Sequence, residues 1–183
     1  MRALANINGK ILQPEDAQVS VFDRGFLFGD GVYETGCSFQ RTFLFLEDHI
    51  QRLRKSAGRL GIPVPWSDEF LKQQLRETAQ AFGQNDIYFR IIITRGEVTH
   101  VGLDIQTNQP TLVILVQELS RELGQLRTRG YHLATSQVRR NPIQAQDPDI
   151  KSSNYLNSIL ALKDVRERGA MDAILLNGEG HVT

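Results

Sequence analysis

The sequence predicts an α+β protein built in two units, and three observations predict it. Strand-length segments rich in apolar or β-branched residues recur along the first two-thirds of the chain, the first of them broken by Asn8-Gly9, a tight hairpin signal. Two stretches between them, Glu47 to Leu60 and Ser67 to Phe82, carry apolar residues at helical spacing. A polar, charged stretch from Glu118 to Gly130 then precedes a fresh strand, helix and strand.

In order, Asn6 to Leu12 (NINGKIL) reads as a hairpin with a type I′ turn, and Gln18 to Phe22 alternates like a strand. Asp23 to Gly31 (DRGFLFGDG) reads as a glycine-rich loop. Val32 to Ser38 and Thr42 to Leu46 read as two strands joined near Gln40-Arg41. Glu47 to Leu60 is a helix with acidic residues in its first turn and Ile50, Leu53, Ala57 and Leu60 on one face; Gly61 and Pro63 end it. Ser67 caps a second helix that faces Phe70, Leu71, Leu75, Thr78, Ala79 and Phe82 inward and closes at Gly83. Asp86 to Thr94 and Thr111 to Gln117 are strands flanking a loop that carries His100. Antiparallel strands with two helices on one face make an α+β unit.

The boundary is expected near 120, with residues 121–130 as a linker and 131–183 as the start of a larger domain. In that second part Tyr131 to Val138 reads as a strand and Arg139 to Asp149, with its two prolines, as a loop. A helix follows and ends at Gly169; Asp172 to Leu176 is a strand, Asn177 to Gly180 a turn, and His181 to Thr183 the beginning of another strand. A core of about fifty residues rarely stands alone, so the expectation is that the polypeptide continues.

Composition narrows the function classes. Lys plus Arg and Asp plus Glu are each 21 of 183 residues, so the formal charge is zero and there is neither a nucleic-acid footprint nor an acidic tail. An apolar fraction of 40% with 23% charged residues is that of a soluble globular protein. The single cysteine, Cys37, excludes an intrachain disulfide and a paired-cysteine metal site. The N-terminus lacks an apolar signal core, and no aliphatic run approaches membrane-spanning length, so a cytoplasmic protein is expected. No phosphate loop, Rossmann glycine fingerprint or serine elbow is present, and His49, His100, His132 and His181 form no ligand-spaced pair.

The candidate residues are isolated polar groups in apolar or turn contexts. Lys151 stands before Ser152, Ser153 and Asn154, all good N-cap types, and Tyr155, Leu156, Ile159, Leu160 and Val165 then recur on one helical face. A lysine at a helix mouth meets the positive end of the dipole, which lowers its pKa and suits it to attack a carbonyl; a plain loop lysine is the competing reading. Arg52, in HIQRL, is either a solvated helix residue or a phosphate-gripping fork. Tyr88 and Arg90 share one face of an apolar strand, where the arginine either needs an anionic partner or reaches solvent from a sheet edge. Tyr33, beside the glycine loop, is a core aromatic or a pocket wall.

Taken together the segments NGKI, DRGFLFGDGVYET, EDHIQRLRKSAGRLGIP, IYFRIIITRG, VRRNPIQAQDPDIKSSNYLNSILA and GAMDAILLNGEGHVT resemble the class IV aminotransferases, the pyridoxal-phosphate proteins of fold type IV. The resemblance runs over essentially the whole chain, and the order and spacing of the pieces carry it. It implies a small N-terminal α+β domain and the first part of a larger, barrel-like α/β cofactor-binding domain. It also implies pyridoxal 5′-phosphate as cofactor and a homodimer or higher homo-oligomer. By the same resemblance Lys151 is the Schiff-base lysine and Arg52 the phosphate ligand. Tyr155 would contact the cofactor ring oxygen. Tyr88 and Arg90 would lie near the substrate carboxylate, and Phe28 and Tyr33 would line the substrate pocket, partly across a dimer interface. In the family a glutamate that pairs with the pyridine nitrogen follows the Val-Thr at which this chain ends, at Thr183.

Within the family, Tyr88 with Arg90, the TRG and GLD spacing, and VRRNP before the lysine look like the branched-chain enzymes. These exchange an amino group between a branched-chain L-amino acid and 2-oxoglutarate. D-amino acid enzymes place an arginine and a histidine just after TRG; here the segment has His100 and no arginine. Aminodeoxychorismate lyase, (R)-selective amine transaminases and an inactive dimerising homologue share the scaffold and stay open as alternatives.

Overall fold

The computed structural model describes residues 2–105, 109–119 and 128–183; most of the expected linker, 121–127, lies outside them. The chain divides into two compact units, Met1–Leu119 with Ile150–Ser153, and Ser120–Asp149 with Asn154–Thr183.

The first unit is a six-stranded antiparallel sheet of β1 (Ala3–Ile7), β2 (Lys10–Leu12), β3 (Gly31–Phe39), β4 (Thr42–Phe43), β5 (Ile87–Thr94) and β6 (Thr111–Glu118), in the order β2-β1-β6-β5-β3-β4. Asn8 and Gly9 both take positive φ, 51° and 90°, as the expected hairpin turn requires, and the Asn6 carboxamide oxygen accepts from the Gly9 N–H at 2.9 Å. Gln40 and Arg41 turn the chain in the same left-handed way between β3 and β4.

Two fifteen-residue helices cover one face, α2 (Leu46–Leu60) and α3 (Asp68–Phe82). Ser67 caps α3 by accepting from the Phe70 N–H, and left-handed glycines, Gly61 and Gly83, close both helices. Ile50, Leu53, Leu71 and Leu75 meet Ile87, Phe89, Ile91, Ile93, Leu112 and Ile114 in one core. β5 therefore alternates: its odd residues are buried against the helices, while Tyr88, Arg90 and Ile92 lie on the opposite face, half-buried. β5 pairs with β3 on one side and β6 on the other, so Arg90 is not on a sheet edge.

Four expectations fail in this unit. The strand read over Thr42 to Leu46 is only Thr42–Phe43, with Phe45 at the N-cap position of α2 and Leu46 its first residue. Gln18 to Phe22 is not a strand. Among the described residues it has no partner strand, it turns where the Asp23 N–H meets the Ser20 carbonyl, and Val21 and Phe22 are exposed. The stretch read as a loop from Asp23 to Gly31 contains a helix, α1 (Arg24–Phe28), capped by Asp23 at its start and by left-handed Gly29 at its end. That helix is one turn long, and a buried Asp23 that also accepts from Thr94 and Thr111 fixes it, so its signal is tertiary. Ile150–Ser153, read as the mouth of a helix, is not helical: Ser152 pairs with Val32 in an antiparallel bridge.

The second unit holds β7 (Leu133–Thr135) and β8 (Asp172–Ile174) as a parallel pair, with α4 (Leu156–Arg166) in the crossover between them. β7 is much shorter than the expected strand over 131–138. Helix α4 starts only at Leu156, with Tyr155 at its N-cap position and no cap bond from that side chain, so the N-cap falls after the serines and asparagine that the sequence offered. Of its apolar positions Ala161 and Val165 are buried, whereas Leu156, Ile159 and Leu160 are exposed. After the Asn177–Gly180 turn, Val182 makes a single bridge to Leu176 rather than a full strand. Among the described residues no helix is long and apolar enough to cross a membrane.

Candidate functional site

The Lys151 segment is held from two directions. The Tyr33 N–H donates to the Lys151 carbonyl at 2.9 Å and the Ser153 N–H to the Gly31 carbonyl at 2.8 Å, which adds a short edge to β3. The Lys151 N–H donates to the Ser56 hydroxyl of α2 at 3.2 Å. A Cβ on Gly31 would sit 3.1 Å from the Ile93 carbonyl and 3.3 Å from the Ser153 hydroxyl, so the close approach relies on glycine there.

The side chains then converge on one aromatic ring. The Lys151 Nζ lies 4.4 Å from the Tyr33 ring centroid and the Arg90 Cζ 3.7 Å from it. Thr35 pairs with Arg90 and Tyr33 with Ile92, which makes Arg90 a diagonal neighbour of Tyr33 on the face away from the helices. The Arg90 Nε is buried and has no hydrogen-bond partner. Cation–π contact stabilises each cation by roughly 0.5–2 kcal/mol. A buried guanidinium nitrogen without a hydrogen-bond partner suits an anion, and a carboxylate fits the guanidinium fork.

On the other face of β3 a second cluster forms. Glu34, fully buried, accepts from Arg52 Nε at 2.5 Å and Nη2 at 2.7 Å, and its Oε2 lies 2.8 Å from His49 Nδ1. Burial opposes the charged form of Glu34, but Arg52 and His49 overcome it and hold the carboxyl below its ordinary range. The Arg52 side chain is 53% exposed, so a charged fork held rigidly from below reaches solvent.

A third cluster anchors α1. Asp30 receives both Arg24 (Nε, 2.7 Å) and Arg95 (Nε, 2.8 Å), and the two arginines are buried. Arg24 also donates to the carbonyls of Gly102 and Asp104, and Arg95 to those of Leu60 and Gly61 at the C-terminus of α2. Burial of Asp30 is again outweighed by the two guanidiniums, which hold its pKa below the ordinary value.

Of the residues singled out from sequence, Lys151, Tyr33 and Arg90 come together, and Tyr88 lies on the same face of β5 as Arg90. Arg52 lies on α2 and meets β3 at Glu34. Phe28 ends α1 with Arg24 over its ring at 5.0 Å, and Tyr155 belongs to the second unit. The sequence reading missed Glu34, Ser56, Asp30, Arg24 and Arg95 and gave His49 no role. One signal could have found Glu34: β3 places it two residues from buried Val32, so a carboxylate occupies an inward position.

Comparison with known proteins gives a consistent result. The family model for amino-transferase class IV matches residues 31–183. The chain is 37% identical over 177 residues to a Methanocaldococcus jannaschii protein named "Putative branched-chain-amino-acid aminotransferase", covering 96% of this chain and 60% of that one. It is 32% identical over 176 residues to a D-alanine aminotransferase of Listeria monocytogenes, covering 94% and 59%. The fold superposes on the crystal structure of a branched-chain aminotransferase from Thermoproteus uzoniensis with norvaline at a TM-score of 0.89 and 29% identity, covering 98% of this chain and 61% of that one. The chain thus spans about three-fifths of the length of these relatives.

Proposed function

Because the chain belongs to the class IV amino-transferase family, we propose that it serves transamination between a branched-chain L-amino acid and 2-oxoglutarate, with Lys151 as the covalent anchor of the cofactor. The observation that carries this is the convergence of the Lys151 amine and the Arg90 guanidinium on the Tyr33 ring. It offers a nucleophile and a carboxylate receptor on the same aromatic ring.

Class IV aminotransferases use pyridoxal 5′-phosphate. The residues fit it: an amine for its aldehyde, an exposed guanidinium for its phosphate, and a buried, unpartnered Arg90 Nε for the carboxylate of what it acts on. When bound, the cofactor supplies a carbonyl that condenses with amines and a ring that withdraws electrons from the substrate α-carbon. Lys151 would hold it and, once displaced, move the proton at the α-carbon as base and then acid. Arg52 would bind the phosphate and Tyr155 the ring oxygen. Arg90 with Tyr88 would orient the substrate carboxylate, and Tyr33 with Phe28 would wall the pocket. Residues 1–120 would form the small domain and 131–183 part of the cofactor-binding one, in a cytoplasmic homodimer or higher homo-oligomer with small-molecule substrates.

The branched-chain assignment is favoured by the similarity to the Methanocaldococcus jannaschii protein and by Arg90 following Tyr88. A D-amino acid specificity is the second reading, favoured by the Listeria monocytogenes relative and by His100 after the TRG segment. The protein loaded with pyridoxal phosphate should be yellow, and borohydride should fix the cofactor mass on Lys151. Its keto products should form from L-Leu, L-Ile and L-Val. A colourless protein that takes up no cofactor sinks the proposal, and turnover of D-Ala without L-Leu replaces the first specificity by the second.

A further inference from the structure

We propose that Glu34, braced by His49, is the positioning residue for the Arg52 guanidinium. The inference rests on reading Arg52 as the group that receives the cofactor phosphate.

An arginine half in solvent is ordinarily mobile, because its long side chain has many rotamers. Arg52 is different: its Nε and Nη2 both meet a carboxylate that is fully buried, in a fork-to-fork geometry. That carboxylate cannot follow the arginine outward. Glu34 lies in the middle of β3, paired to Ile91 of β5, and its Oε2 is also engaged by His49 Nδ1. His49 in turn stands edge-on to the buried Phe89 ring at 6.0 Å, and Gly36 leaves the space that lets both approach. The chain Phe89, His49, Glu34, Arg52 therefore runs from rigid core to exposed fork.

The frame in which Arg52 is fixed matters as much. Arg52 and Ser56 are one turn apart on α2, on the same face. Ser56 accepts the backbone N–H of Lys151. One helical turn thus sets the spacing between the covalent anchor and the phosphate receptor, and Glu34 sets the direction of the receptor within it. For stability alone an ion pair at this place has little advantage over an apolar pair of the same size; what it adds is a defined geometry.

The test measures dissociation constants for pyridoxal phosphate and for pyridoxal, which lacks the phosphate, in the wild type and two variants. Glu34→Asp keeps the charge and withdraws the carboxylate by one methylene; His49→Ala removes the brace. The wild type should prefer the phosphorylated form, and Glu34→Asp should cut that preference about tenfold, with His49→Ala cutting it less. Binding of pyridoxal itself should change little. A preference unchanged in both variants, with only the melting temperature lowered, overturns the positioning role and leaves Glu34 a structural ion pair. If Glu34→Asp does not fold, an unchanged preference in His49→Ala is sufficient to overturn it. A wild type that binds both forms equally instead overturns the assignment of Arg52 to the phosphate, and this inference with it.

Discussion

At Gly36 the sheet has no room for a methyl group. A Cβ there would lie 2.5 Å from Phe89 Cζ, 2.8 Å from its Cε1 and 3.1 Å from His49 Nε2. Phe89 is fully buried in the main core and cannot retreat without displacing its neighbours. Gly36→Ala should therefore cost about 1–3 kcal/mol of stability, read as a lower urea midpoint with an unchanged slope. A variant as stable as the wild type would show that Phe89 shifts freely. Other single residues were legible by type and context: Arg90 as a charge inside an apolar strand, Lys151 and Arg52 as isolated cations. Their partners were not. Glu34 meets Arg52 across 18 residues of sequence, and Lys151 meets Ser56 across 95. No local pattern encodes such distances.

Among the elements, α2 and α3 were readable almost to the residue. Each combines an apolar stripe, acidic residues in the first turn and a glycine at the end, so several independent signals agree. Ser67 makes a testable contribution: its side chain accepts from the Phe70 N–H at 3.1 Å, and Ser67→Ala should lower stability by about 1 kcal/mol in chemical denaturation. No loss would mean that water replaces the cap at equal strength. The failures share one cause. Alternation alone made Gln18 to Phe22 look like a strand, yet a strand needs a partner strand, and among the described residues none pairs with it. The cap-like residues before Tyr155 were read as the start of a helix, yet bonds from Tyr33 and Ser153 draw that segment out along β3. In both places tertiary pairing, absent or present, decided what local preference could not.

For the whole molecule, the half-buried Asp30 and the fully buried Glu34 couple folding to acid. Both are held below their ordinary pKa values of 3.8 and 4.5. As pH falls through that range the unfolded chain takes up protons before the folded one does. The stability these groups contribute is thus complete above about pH 4.5 and lost progressively below it, as pH falls toward the folded values. Urea unfolding between pH 7 and pH 3 should show a plateau and then a decline on the acid side; constant stability down to pH 3 would falsify the coupling.

The sequence by itself determined the α+β character, the two principal helices, the first hairpin and the family, because each is written in short-range periodicity or in ordered motifs. It also picked out Lys151, Tyr33 and Arg90 as candidates. Only the tertiary structure decided that these three meet on one ring, that Arg90 sits mid-sheet, and that Arg52 is tied to Glu34. The physical reason is range. Periodicity records which face of an element is apolar, whereas a site is made where the sheet brings β3, β5 and the Lys151 segment side by side, and that meeting exists only once the core has packed.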